Sequence, residues 1–275
     1  MSFFEAVLFG LVQGLTEFLP ISSTAHIVIT GYILGISTPG LGFEIYLHMA
    51  SLLAVILYFR QDLMWVVEGF FRWVLRRGGP EDAVAGRFAI YLGIATVLTG
   101  GLGLLLMKLM GDSLKSPPVV AGALFCTAVA LLLVERIQRV GGREVGQVTA
   151  LDAVLVGLAQ TVAVLPGISR SGATLIGGLA VGLNRETAVR FSFLLAIPVL
   201  AGSSVLALRD ITGGELLALG VSGLIVSFVV SFVASWVSII WLIGFLKQRR
   251  LYWFSIYLVL LAAFVYLAFP ADRVF

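Results

Sequence analysis

Apolar residues along this chain gather into runs close to the roughly 20 residues a helix needs to cross a bilayer. Six such runs stand out, at about 44–59, 88–107, 118–135, 187–208, 216–243 and 252–269. The first stops at Arg60 and has room to extend upstream to Leu41. Residues 61–77 mix Asp62, Glu68, Arg72, Arg76 and Arg77 with Trp65, Phe70, Phe71 and Trp73. That mixture predicts a helix lying in the membrane interface rather than crossing it. Two further apolar stretches, about 3–36 and 149–184, carry a mid-segment proline, Pro20 and Pro166, each followed closely by hydroxyl residues. Proline removes a backbone donor and ends or kinks a helix, so each stretch predicts two half-length helices meeting at a polar bend.

Composition agrees with a lipid solvent. The 275 residues are 60% hydrophobic and 12% charged, with a mean hydropathy of +1.07, where a soluble domain carries about 25% charged residues. The net charge of +3 is concentrated in connections between apolar runs, which argues for membrane topology and against a nucleic-acid partner. Arg60, Arg72, Arg76, Arg77 and Arg87 crowd one connection; Arg136, Arg139 and Arg143 another; Lys247, Arg249 and Arg250 a third. Only Lys108 and Lys115 lie between the second and third spans. Placing the rich connections in the cytoplasm lets every span alternate. The first bent segment then begins and ends outside, the second inside. Cys126 is the single cysteine, so no intrachain disulfide forms. The segment Met1–Glu5 lacks the basic start and cleavage site of a signal peptide.

A shift of 147 residues lays the two bent segments on each other. Gly10, Leu11 and Gln13 fall on Gly157, Leu158 and Gln160; Ile21 and Ser22 on Ile168 and Ser169; Ile29, Gly31 and Gly35 on Ile176, Gly178 and Gly182. Each repeat is then a bent segment plus three spans, and the odd number turns the second repeat upside down. The expected fold is an all-α polytopic membrane protein of two inverted-topology repeats, each a re-entrant helical hairpin plus three transmembrane helices. It forms a single membrane domain over 1–275, with repeat one at about 1–147 and repeat two at about 148–275. Such folds place a polar site near the midplane, where the broken helices meet.

The polar residues of the bends carry the chemistry. Gln13 and Glu17 are four apart and share one helix face, looking toward Ser22, Ser23, Thr24 and His26. An ionisable group at the bilayer centre costs at least ~2.5–3.5 kcal/mol, so Glu17 is expected to be functional. The second bend reads Pro166-Gly167-Ile168-Ser169-Arg170-Ser171-Gly172-Ala173-Thr174. A helix starting at Ser169 presents free N–H groups, and Arg170 adds a fork of donors suited to phosphate oxygens. The repeats have diverged: Glu17 and His26 fall on Val164 and Ala173, while Arg170 falls on Ser23. One bend therefore supplies acid–base groups and the other an anion clamp.

Other polar residues are expected in quieter roles. His48 lies in an apolar span and reads as a satisfied membrane histidine; Glu44, Asp152 and Glu186, near span ends, read as solvated or capping. No spacing of His, Cys, Asp and Glu matches a structural metal site. A loosely held magnesium or calcium ion bridging Glu17 and phosphate oxygens stays open as a cofactor.

With these residues the chain resembles the undecaprenyl-pyrophosphate phosphatase family, also called bacitracin-resistance proteins. The family's first motif, (E/Q)-x-x-x-E followed by P-x-S-S-T-x-H, is met by Gln13, Glu17, Pro20, Ser22, Ser23, Thr24 and His26. Its second, P-G-x-S-R-S-x-x-T, is met by Pro166, Gly167, Ser169, Arg170, Ser171 and Thr174. Gln13 stands where many members have Glu, which removes one carboxylate from any metal site. The resemblance implies hydrolysis of undecaprenyl pyrophosphate, a C55 isoprenyl lipid that carries cell-wall precursors, to the monophosphate. It also implies a bacterial plasma membrane and a site reached from the outer face. In that setting the expected catalytic residues are Glu17, Ser23, His26 and Arg170. Gln13, Ser22, Thr24, Ser169, Ser171 and Thr174 are expected to bind substrate. Ser23 or His26 attacks, with Ser23 preferred and His26 then serving as acid/base. A secondary transporter or a lipid flippase shares the inverted-repeat architecture, and an intramembrane serine protease would pair Ser with His. Sequence leaves the oligomeric state open, a homodimer among the alternatives.

Overall fold

Proline and glycine punctuate the chain where the apolar runs break, and the helices follow that punctuation. A computed structural model describes residues 1–35, 41–109, 116–137, 142–207, 220–248 and 250–269. Lys115, Arg139 and Arg249, used above for orientation, lie outside the described residues, as do 36, 208 and 216–219 at the ends of predicted segments. Among the described residues there are eleven α-helices and no strands, apart from one isolated bridge between Arg143 and Leu183. They are α1 (Phe3–Thr16), α2 (Ser23–Leu34), α3 (Leu41–Tyr58), α4 (Arg60–Val74), α5 (Pro80–Leu109) and α6 (Pro117–Ile137), followed by α7 (Ala150–Val162), α8 (Arg170–Ala180), α9 (Arg185–Ala207), α10 (Val221–Gln248) and α11 (Tyr252–Ala268).

Four helices are long and apolar enough to cross a bilayer alone: α5, α6, α9 and α10. α3 and α4 meet at a bend of 73° after Tyr58. α4 thus leaves the direction of α3 where Arg60 and Asp62 enter. α5 starts earlier than the predicted second span, because Pro80 suits a first helical turn and Glu81 and Asp82 favour a helix N-terminus.

The two broken segments fold as helical pairs. α1 packs on α2, and α7 on α8. Arg143 ties both ends of the second pair to one place: its guanidinium is bidentate to Asp152 in the first turn of α7 (2.8 and 2.8 Å) and also donates to the Val181 carbonyl after α8. The pair therefore enters and leaves on one side. Asp152 also accepts from the Thr149 backbone N–H (2.8 Å), the capping role expected of it.

Packing depends on small residues that let backbones approach. Gly10 and Gly14 on α1 face a serine row on α10. An ideal Cβ at Gly10 would lie 2.7 Å from the Ser227 carbonyl oxygen, and one at Gly14 would collide with the Ser231 carbonyl. That serine row also makes cross-helix bonds: Ser235 Oγ meets Ser51 Oγ on α3 at 2.9 Å, and Ser238 donates to the Leu15 carbonyl at 2.9 Å. A comparable contact joins α7 to α5, where a Cβ at Gly157 would lie 3.0 Å from Ala95 Cα and Thr99 donates to the Gly157 carbonyl at 3.1 Å. Helix pairings thus occur in matching sets: α1 on α10 and α7 on α5, α3 on α10 and α9 on α5.

Gly14→Val should lose about 2 kcal/mol of stability through overpacking. Gly100→Ala, with nothing within 4 Å of the added carbon, should melt at the wild-type temperature or above it. Thermal unfolding of both variants in one detergent checks the contrast.

Candidate active site

The two bends meet. At the first, α1 ends at Thr16, and Glu17 continues the buried face formed by Phe9, Gly10, Gln13 and Gly14. The chain then turns through Phe18–Ser22, with Ile21 N donating to the Leu19 carbonyl at 2.8 Å. Ser22 caps α2 with φ of +69°, a conformation that favours glycine and costs of order 1–3 kcal/mol. At the second bend Gly167 has φ of +95°, and a Cβ there would come within 2.8 Å of the Val120 carbonyl oxygen on α6. Only glycine satisfies both demands. Ser169 then caps α8 by accepting from Gly172 N at 3.1 Å.

Glu17 stands at the centre. Its side chain is only 3% exposed, and each oxygen is engaged. Oε1 accepts from Arg170 Nη2 across the two bends. Oε2 accepts from Gln13 Nε2 at 2.8 Å and Ser23 Oγ at 2.7 Å, with His48 Nε2 at 3.2 Å. A carboxylate and a guanidinium distant by 153 residues in sequence thus share one buried ion pair. The structure brings Gln13, Glu17, Ser23 and Arg170 together as expected.

The remaining expected residues have other partners. Ser171 Oγ donates to the Leu19 carbonyl of the first bend at 2.8 Å; Ser169 Oγ lies 3.3 Å from that carbonyl and 3.0 Å from Ser171 Oγ. Thr174 Oγ1 bonds the Ser192 hydroxyl on α9 and lies 3.1 Å from the Arg170 carbonyl. These three hydroxyls, expected to bind substrate, here stitch α8 to the first bend and to α9. Thr24 Oγ1 donates to Glu44 Oε1 at 2.5 Å. Ser22 contributes its carbonyl, which faces His26 Nδ1 at 2.7 Å, and His26 Nε2 lies 2.6 Å from the Tyr257 hydroxyl on α11.

Three residues at the site escaped the sequence reading. His48, expected as an ordinary satisfied membrane histidine, is satisfied by Glu17 itself. Glu44, expected in a span-end role, takes Thr24. They are one helical turn apart on α3 and so share a face, a spacing that could have flagged them together. Tyr257 has no comparable signal, since an aromatic residue in an apolar span is unremarkable by itself. Gln13 Oε1 is buried without a hydrogen-bond partner among the described residues, but so is Oε1 of Gln160, its counterpart under the 147-residue shift. The unpaired oxygen is thus common to both bent segments.

Among the described residues no three His, Cys, Asp or Glu side chains gather to hold a metal ion. A divalent cation on Glu17 would have to displace one of four donors, so the donor set does not fit an ion held by protein groups alone. What the arrangement can do is activate a hydroxyl: Ser23 Oγ points its proton at a carboxylate, beside a guanidinium that suits an anion.

Glu17→Gln should cost about 3 kcal/mol, because it strands Arg170 in a buried place. Combining it with Arg170→Met should recover part of that loss. Unfolding of the two single variants and the double variant in mixed micelles measures the coupling.

The chain has close relatives among known proteins. A family model described as bacitracin resistance protein BacA matches residues 6–264. Undecaprenyl-diphosphatase 2 of Halalkalibacterium halodurans is 54% identical over 270 residues, covering 98% of this chain and 97% of the relative. Undecaprenyl-diphosphatase 1 of Shouchella clausii is 47% identical over 268 residues, 97% and 96% of the two chains. Undecaprenyl-diphosphatase 3 of Bacillus anthracis is 38% identical over 255 residues, 92% and 93%. With a match that runs through both bends and nearly every span, the chain belongs to the bacitracin resistance protein BacA family.

Proposed function

We propose that this protein is an integral-membrane phosphatase that hydrolyses undecaprenyl diphosphate to the monophosphate and inorganic phosphate. The observation that carries the reading is the hydrogen bond from Ser23 Oγ to Glu17 Oε2 (2.7 Å) on a carboxylate whose other oxygen is held by Arg170. A transporter site needs an anion clamp but no hydroxyl aimed at a base. The names of the relatives point to the same substrate. Its isoprenyl tail stays in lipid while the diphosphate enters between the bends.

In the first step Ser23 Oγ attacks the terminal phosphorus and Glu17 takes its proton. The bond from that phosphorus to the bridging oxygen breaks, and the lipid monophosphate leaves with the electron pair. Arg170 turns from Glu17 to the phosphate oxygens and holds the charge of the transition state, the main task in phosphoryl transfer. Water then attacks the phosphoserine; His26, its Nε2 freed from the Tyr257 hydroxyl, takes the proton and passes it to solvent. Ser23 Oγ departs, recovering the proton from Glu17. The N–H groups at the start of α8 remain the anion-facing part of the second bend, while Ser169, Ser171 and Thr174 keep that bend in place. A divalent ion enters this reading only on the diphosphate oxygens.

The two halves are proposed as inverted repeats, a reading supported by the paired helix contacts and by the glycine approaches at Gly10 and Gly157. With the arginine-rich connections in the cytoplasm of a bacterium, the first hairpin opens to the outer face of the plasma membrane. The substrate is then taken from that side.

Purified protein in liposomes should release phosphate from undecaprenyl diphosphate, and a wild type that releases none overturns the reading. Arg170→Ala should lower phosphate release at least ~100-fold while the protein stays folded; full activity would remove the clamp. Ser23→Ala should abolish release and leave no acid-stable phosphoserine after a quench with labelled substrate, whereas a phosphohistidine trapped at His26 would transfer the nucleophile's role. Wild type and Ser23→Ala, each with and without chelator, show whether the substrate-borne ion is needed.

A further inference from the structure

α3 carries a polar stripe through an apolar helix. Glu44, His48 and Ser51 follow one another at spacings of four and three residues and so lie on one face. Each meets a different element. Glu44 takes the Thr24 hydroxyl of α2, His48 lies 3.2 Å from Glu17, and Ser51 Oγ lies 2.9 Å from Ser235 Oγ on α10. The proton transfer proposed for Ser23 and Glu17 makes no use of Glu44. Its contact nevertheless falls on Thr24, the residue next to the nucleophile.

That contact is made where α2 is otherwise weakly fixed. Ser22 precedes the helix with φ of +69°, and its side chain makes no cap bond. The first turn is therefore held by side chains that reach out of it: Ser23 Oγ to Glu17 Oε2 at 2.7 Å, Thr24 Oγ1 to Glu44 Oε1 at 2.5 Å, and His26 Nε2 to the Tyr257 hydroxyl at 2.6 Å. In the proposed reaction the first bond is lost as the Ser23 proton moves, and the third is released when His26 accepts from water. The Thr24 bond takes part in neither step. A hydroxyl has one proton to donate. Thr24 gives its proton to Glu44 and so has none for a phosphate oxygen.

We infer that Glu44 is a positioning residue for the phosphatase reaction: by accepting from Thr24 it holds the first turn of α2 so that Ser23 Oγ stays against Glu17. The inference rests on the proposed phosphatase reading. Glu44 touches no reacting atom and acts through Thr24. Without the tether the first turn shifts about its bend, and a nucleophile misplaced by about 1 Å loses rate on the order of 100-fold. Lipid binding, which depends on Arg170 and the apolar surface, is retained. The role requires an acceptor and not a charge, so a glutamine carbonyl serves at position 44 and a methyl group does not.

Thr24→Val keeps the shape of the side chain and removes its proton. It should lower kcat at least about tenfold with KM within about twofold of wild type. Glu44→Ala should match it, while Glu44→Gln should stay within about threefold of wild type in kcat. The double variant of Glu44→Ala and Thr24→Val should be no slower than either single one, since each removes the same bond. A raised KM with kcat unchanged in Thr24→Val overturns the inference and makes Thr24 a substrate ligand. So do losses that add in the double variant, or Glu44→Gln as slow as Glu44→Ala. Unfolding of the same set in one detergent reads the coupling of the two side chains without substrate. Coupling in unfolding with kcat unchanged in both single variants shows a purely structural contact and likewise overturns the inference. If wild type releases no phosphate, the phosphatase reading fails and the positioning role with it, and the unfolding cycle still shows whether the tether exists.

Discussion

A carboxylate in the interior of a bilayer is tolerated only when its charge is answered within hydrogen-bond reach. Glu17 meets this condition through Arg170 on one oxygen and Gln13, Ser23 and His48 around the other. Since Glu17 and Arg170 lie on different broken segments, the condition is met only when the two bends touch. Much of the remaining architecture serves that contact. Gly14 lets α1 sink against α10, Gly167 lets the second bend pass Val120, and the Ser171 hydroxyl closes on the Leu19 carbonyl. Helix ends that would be costly in hydrocarbon are thereby covered by protein.

The same contact reconciles stability with chemistry. In the resting arrangement Arg170 is occupied by a carboxylate, which occupies the place of an anionic ligand. In the proposed reaction a diphosphate would compete for that guanidinium, leaving His48 beside Glu17. The carboxylate would then have fewer donors when the proposed transfer of the Ser23 proton takes place. Groups that make the ion pair tolerable in lipid are thus the groups the proposed phosphoryl transfer would use.

The two broken segments are alike at several buried positions and differ in their charged residues. Gln13 and Gln160 are both buried near the bends, each with one oxygen unpaired, and Gly10 and Gly157 both sit at close helix crossings. Yet only the first bend carries an acid and only the second a guanidinium. α3 adds Glu44 and His48, and α11 adds Tyr257, so the site draws on helices well beyond the two bends.

Much of this was readable along the chain. Span length and the prolines at positions 20 and 166 mark the helices and their breaks, because the bilayer sets helix length and proline cannot continue the hydrogen-bond ladder. The bend motifs likewise singled out Glu17, Ser23 and Arg170, which the fold brings into contact, since charged residues inside apolar segments are costly enough to stand out. The partners of those residues were not readable. A helical period says which residues share a face but not which helix that face meets, so His48 read as a satisfied membrane histidine without its partner, and Tyr257 was not singled out. The hydroxyls of Ser169, Ser171 and Thr174 read as phosphate ligands, and nothing local shows that the Leu19 carbonyl and Ser192 also lie within their reach. Sequence by itself determined the spans, the breaks and the charged residues, all of which follow from local chain chemistry and the thickness of the membrane. Only the tertiary structure decided who neutralises whom, because hydrogen bonds extend about 3 Å and depend on how whole helices dock.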